Sequence, residues 1–232
     1  AAAIVMTGAA LWAPWCTAPP SPPQVRFPLA LPEGFSGVGV PAISPDGTKV
    51  AMVLMKGAQK TLWIRDLENL SMRQIATADP SSTSHDSLIW SPDSRTITFY
   101  SDSRKLRKVS AQGGPVQTIC DLPSIAGGAW AADGIIYLGS TNSGIFGVPE
   151  SGGALAPVVP LNPQSSGAAY YHSPRMLPGG RLLFAATGDE ASAGIYIASL
   201  SDPSHPHRIL QTAGAEALAY LPQIGRAHVL TP

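Results

Sequence analysis

The chain has 232 residues, enough for one large domain or part of one. Its 15 Lys and Arg balance its 15 Asp and Glu, so it lacks the basic excess of a nucleic-acid binder, and charged residues are only 13% of the chain, against about 25% in ordinary domains. Gly and Pro, 23 each, fit many short strands joined by turns, and two cysteines, Cys16 and Cys120, are too few for a disulfide scaffold.

In chain order, Ala1 to Trp15 is uncharged and, apart from Thr7, apolar. As a helix it would span about 22 Å, short of the hydrocarbon core at about 30 Å. It reads as the last part of a transmembrane helix, with Trp12 and Trp15 at the interface. A signal-peptide apolar region is the alternative. Residues 16–33 follow as a linker, where Pro19, Pro20, Pro22, Pro23, Pro28 and Pro32 favour an extended backbone. The folded domain starts near Glu33-Gly34.

The run from Ile43 to Val53 then reads as strand, tight turn, strand. Pro45 presets φ, the Asp46 carboxylate accepts from turn amides, and Gly47 takes positive φ without steric cost. The pattern returns with Pro92 and Asp93, and again with Asp133 and Gly134. A worn copy carries Gly179, so the third turn position recurs at spacings of 47, 40 and 46 residues. A β-rich repeat of that period is the mark of propeller blades. The expected fold is all-β: an incomplete β-propeller of about four four-stranded blades, preceded by a truncated transmembrane helix. The propeller covers 34–213, with blades near 38–76, 88–120, 128–159 and 172–210. Gly113-Gly114 and Gly152-Gly153 make the last hairpin turns of blades two and three. Ala217–Leu221 reads as the start of a fifth blade. The residues from Ile224 to Pro232 read as a non-native tail, outside the fold.

The turns Ser44-Pro45-Asp46-Gly47 and Trp90-Ser91-Pro92-Asp93-Ser94 resemble the TolB-type propeller repeat, over about residues 38–210. Helix, Pro-rich linker and propeller in succession are similar to the C-terminal half of bacterial membrane-anchored Ser/Thr protein kinases of eukaryotic type. Blade three departs from the motif with Ala131-Ala132, and blade four with Gly179. The resemblance implies a propeller outside the membrane, carried by a single helix, in a protein whose kinase domain is absent from this chain.

No kinase motif, nucleophile elbow or dense calcium loop occurs in the sequence. Gly37-Val38-Gly39-Val40-Pro41-Ala42 fits a loose dinucleotide pattern, but a strand and turn follow it rather than a helix. Asp46, Asp93 and Asp133 each sit alone in a turn, which favours a structural role over a metal site. Trp63, Trp90, Trp130 and Tyr137 fall on strands at repeat-equivalent places and read as packing between blades. Neither a cofactor nor a metal is expected. The function expected is non-catalytic, a sensory or protein-interaction module with an unknown protein or small-molecule partner. A periplasmic TolB-like interaction protein, the propeller of a prolyl-oligopeptidase-type peptidase and a lectin-like propeller are the alternatives. The candidate binding face is the rim of the inter-blade connections, with His85, Asp86, Tyr170, Tyr171 and His172.

Overall fold

The computed structural model describes residues 31–77, 80, 88–141, 143–161, 170–212, 217–221 and 226–230, the last two segments as backbone alone. The chain divides into Ala1–Pro32 and Glu33–Pro232, and every described strand belongs to the second unit. The expected membrane helix at 1–15 lies outside the described residues. Among those described, no helix is long and apolar enough to cross a membrane.

Four antiparallel four-stranded sheets follow one another, each with its strands in sequence order. The first holds β1 (Ser36–Ile43), β2 (Lys49–Lys56), β3 (Gln59–Asp66) and β4 (Met72–Ala76). The second holds β5 (Leu88–Trp90), β6 (Thr96–Ser101), β7 (Lys105–Ser110) and β8 (Gln117–Asp121). The third holds β9 (Gly128–Trp130), β10 (Ile135–Gly139), β11 (Ile145–Pro149) and β12 (Ala156–Val159). The fourth holds β13 (Tyr170–Leu177), β14 (Arg181–Thr187), β15 (Gly194–Ser199) and β16 (Asp202–Gln211). A two-stranded sheet pairs β17 (Ala217–Leu221) with β18 (Arg226–Leu230). Thus Arg226–Leu230, set apart from the fold on sequence grounds, pairs as a strand.

First strands meet first strands: β1 lies against β5, β5 against β9, β9 against β13 and β13 against β17. This is the radial order of a propeller, with the first strand of each blade innermost. Middle strands are buried on both faces, so β2, β10 and β14 are apolar almost continuously, while β6 also buries the polar Thr98 and Ser101. In β6, Ile97 and Phe99 enter the seam between blades one and two, while Tyr100 enters the next seam. The seam between blades three and four holds Tyr137, Ile145, Tyr171, Leu182 and Phe184. Trp90 and Trp130 lie in the first and second seams. Trp63 instead packs with Phe35 over Val50, Met52 and Leu54, on the other face of blade one.

The seams are also latched by polar groups. The Trp90 indole N–H donates to the Ala42 carbonyl at 3.0 Å. Arg73 Nη2 donates to the Ala111 carbonyl at 2.6 Å, and Lys60 Nζ lies 2.8 Å from Asp102 Oδ2. The glycine pairs serve close approach as well as turning. A Cβ on Gly152 would lie 2.9 Å from the Ile119 carbonyl of the preceding outer strand, and the Gly153 amide donates to that same oxygen at 3.3 Å.

Candidate functional site

Up-and-down sheets leave two rims. The turns between first and second strands, and between third and fourth, share one rim. The turns between second and third strands share the other with the inter-blade connections.

On the first rim the three aspartates act alike. Oδ1 of Asp46, Asp93 and Asp133 accepts the amide two residues ahead, from Thr48, Arg95 and Ile135, at 3.0, 3.1 and 3.0 Å. The serine that opens the motif links both limbs of the turn. Ser44 and Ser91 donate their hydroxyls to Asp46 and Asp93, and accept the Lys49 and Thr96 amides at 2.9 Å. Ala131 has no hydroxyl, so the third turn keeps the aspartate contact without this link. Burial opposes ionisation of Asp46, yet hydrogen bonds from Ser44, from the Thr48 amide and hydroxyl, and from Lys49 together hold its carboxyl well below the usual carboxylate range. Asp93 is lowered chiefly by the Ser91 hydroxyl, then by the Arg95 amide. Pro45, Gly47, Pro92 and Gly134 complete these turns, with φ of +71° at Gly47 and +82° at Gly134.

On the second rim, His85 and Asp86 lie outside the described residues. Tyr170 and His172 are half-buried on β13, with ring centroids 5.4 Å apart. His172 Nε2 lies 3.0 Å from Thr187 Oγ1, and Nδ1 lies 3.3 Å from Ser173 Oγ. Tyr171 does not share this surface. It is 2% exposed and packs on Phe184 at 4.8 Å between blades three and four. Alternation sends Tyr171 inward where its neighbours look out. The backbone here is clamped, because Tyr171 N donates to Ser143 O at 2.9 Å and Ser173 N to Ala126 O at 2.7 Å. Ser173, with φ of +50°, sits in the register shift between His172 and Arg175. Each ring nitrogen of His172 thus faces a hydroxyl. Ser173 is buried.

Gly37 to Ala42 lies in β1, an extended strand rather than a helix N-terminus. Among the described residues, no group of three His, Cys, Asp or Glu side chains could hold a metal. Cys120 is a buried free thiol. One feature eluded the sequence reading: a cleft of about 460 Å³ on the aspartate rim, lined by Asp46, Lys49, Asp93, Ser94, Arg95 and Gln112 among others. Its residues come from three turns, and no local pattern announces their meeting. The departure from glycine at Ser94 was the available signal.

No protein-family model matches the chain, and no curated protein does. Solved structures do. A chain of a nidogen/laminin complex superposes with a TM-score of 0.64 at 11% identity, covering 82% of this chain and 70% of that one. TolB from Acinetobacter baumannii gives 0.62 at 12% identity, covering 81% and 46%. The Cps50 (Swd1) β-propeller domain from Myceliophteria thermophila gives 0.59 at 16% identity, covering 86% and 64%. The present chain therefore spans about half of the TolB chain. At these identities the likeness is one of fold. The protein is built as a β-propeller, similar in fold to TolB and to the Cps50 (Swd1) β-propeller domain.

Proposed function

We infer that this chain is a non-catalytic propeller that recognises another protein or a ligand. We place it outside the membrane, as the sensory part of a receptor Ser/Thr protein kinase. The observation that carries the reading is the serial arrangement of four sheets, with innermost strands meeting in order and Ser-Pro-Asp turns on one rim. That is a rigid scaffold whose rims are free to vary. The Pro-rich linker and the apolar Ala1–Trp15 run support a membrane-tethered placement. His172 and Tyr170 belong to the recognition surface on the connection rim, whereas Tyr171 holds the seam beneath them.

The purified chain is expected to turn over neither ATP nor ester and peptide substrates. A rate that survives stringent purification and disappears with Thr187→Ala or His172→Ala would overturn the non-catalytic reading. Placement is tested by an alkaline phosphatase fusion made at the C-terminal end of this chain in its native gene, expressed in a bacterial host, which is expected to be active. An inactive phosphatase, with an active cytoplasmic reporter at the same junction, would overturn the extracytoplasmic reading.

A further inference from the structure

We propose that this chain binds a second copy of itself head to tail, with the hairpin end 66–71 of one copy seated on the outer strand of blade four of the other, at Ile209 and Leu210. The contact is separate from the recognition surface assigned above: His172 lies on β13, at the opposite edge of the sheet from β16.

The seams inside the chain show the device. In every blade the outer strand shifts register at the same place, beside the pairs Leu62 with Ala76, Leu106 with Cys120, Ile145 with Val159 and Ile195 with Leu210. The shift makes Ile75, Ile119, Val158 and Ile209 the extra residue of a bulge. In the first three blades the next blade covers this apolar pair. Ile75 and Ala76 lie in the first seam, Ile119 and Cys120 in the second, and Val159 in the third with Val158 packed against it. The cover is the turn between the next blade's third and fourth strands. A Cβ on Gly113 would come within 3.9 Å of Ile75 O, the Gly153 amide donates to Ile119 O at 3.3 Å, and Leu200 joins Val158 in the third seam.

Blade four has the bulge but, among the described residues, no turn upon it: Ile209 is 56% exposed and Leu210 48%. β17 meets the sheet at its inner edge, through β13. Blade one has the converse, a turn with nothing beneath it. Leu70, at a φ of +59°, is 52% exposed, and Ile43, paired with Val50 on the face away from blade two, is 66% exposed. Apart from Leu31, every large apolar side chain that stands exposed among the described residues lies on blade one or blade four, and blades two and three expose none. One copy therefore holds both parts of the joint, an empty bulge and an unseated turn, and a second copy supplies the missing part to each. Charge agrees with this pairing. Residues 66–71 carry the carboxylates of Asp66 and Glu68 and no cation, whereas residues 207–211 carry His207 and Arg208 and no anion. Joining unlike surfaces makes the contact heterologous, closing into a ring or continuing as a filament.

The test uses the full 232-residue chain in sedimentation velocity. Between about 2 and 200 µM its mass should rise above that of a monomer. Leu70→Asn, which suits a left-handed position, and Ile209→Asp should each weaken association about tenfold or more. Both positions are exposed, so neither change buries a polar group. The two variants mixed should form a heterodimer that grows no further, joined by the intact turn of the Ile209 variant and the intact bulge of the Leu70 variant. His172→Ala should leave association unchanged. A wild-type chain that stays monomeric at about 200 µM would overturn the proposal. So would association indifferent to both variants, or a mixture no larger than its parts. If the thiol of Ile209→Cys resists maleimide in a monomer, a segment of the same polypeptide covers the bulge and the proposal falls. The turnover and fusion assays above do not depend on this contact.

Discussion

The Ser94 hydroxyl accepts the Asp46 amide at 3.1 Å, joining the first turn of blade two to the first turn of blade one, 48 residues earlier. Ser94 occupies the turn position that Gly47 and Gly134 fill elsewhere, and it does so at a φ of +59°. A left-handed serine costs about 1–2 kcal/mol, and the hydrogen bond across the seam returns about 1 kcal/mol. Ser94→Gly removes both and should leave stability within about 1 kcal/mol of wild type. Ser94→Ala keeps the strain and loses the bond, so it should unfold at lower denaturant by about 1 kcal/mol. If Ser94→Ala unfolds at the same urea concentration as wild type, the seam bond contributes nothing.

Acid should loosen the same turns. Asp46 and Asp93 both titrate below their ordinary range, so the unfolded chain binds protons before the folded one does. Their stabilisation is complete above the unfolded carboxyl value, about 3.9, and is lost as pH falls through the lower folded values. Thermal melts should therefore fall steeply below pH of about 4. Asp46→Asn should be less stable than wild type at neutral pH and converge on it in acid. A constant difference across pH would show that Asp46 does not carry this dependence.

Gly152 and Gly114 both hold positive φ, +101° and +122°, so alanine is strained at either position, by roughly 1–3 kcal/mol. Only at Gly152 would the new Cβ also press on a carbonyl, Ile119 O, at 2.9 Å; at Gly114 the space is open. Gly152→Ala should therefore destabilise more than Gly114→Ala. Equal midpoints in urea would show that the tip of this hairpin does not press on its neighbour.

How much of this was open to a reader of the sequence follows from what each contact depends on. The aspartate turns were legible because the whole device, from Ser91 to Thr96 for example, lies within six residues. The order of blades was legible because those turns recur. Tyr171 was not, since its direction depends on the register of β13 against β14, which shifts between His172 and Arg175. The Arg95 cleft was hidden for a similar reason. Its walls come from turns of two blades, and only the closure of the seam brings Gln112 near Asp46. Trp63 looked equivalent to the other strand aromatics, but it sits on the opposite face of its sheet from the first seam.

Cys120 should behave as a core residue. Burial, and then the charge of Asp121, push its thiol up to about 11. The thiolate needed for attack is scarce near neutral pH and forms more readily as the chain unfolds. Site-resolved mass spectrometry after iodoacetamide treatment at pH 8 should find Cys120 unlabelled in the folded chain and fully labelled in denaturant. Rapid labelling without denaturant would mean that the second seam opens.

The central claim is that consecutive sheets pack as blades through their innermost strands. The most direct measurement is a nuclear Overhauser contact from the Trp90 indole proton to the backbone protons of Ala42 and Ile43 in the isotope-labelled chain. With the indole nitrogen 3.0 Å from the Ala42 carbonyl, the account predicts a strong cross-peak and slow exchange of that proton with water. An indole proton that exchanges rapidly and shows no contact with residues 42–43 would contradict it.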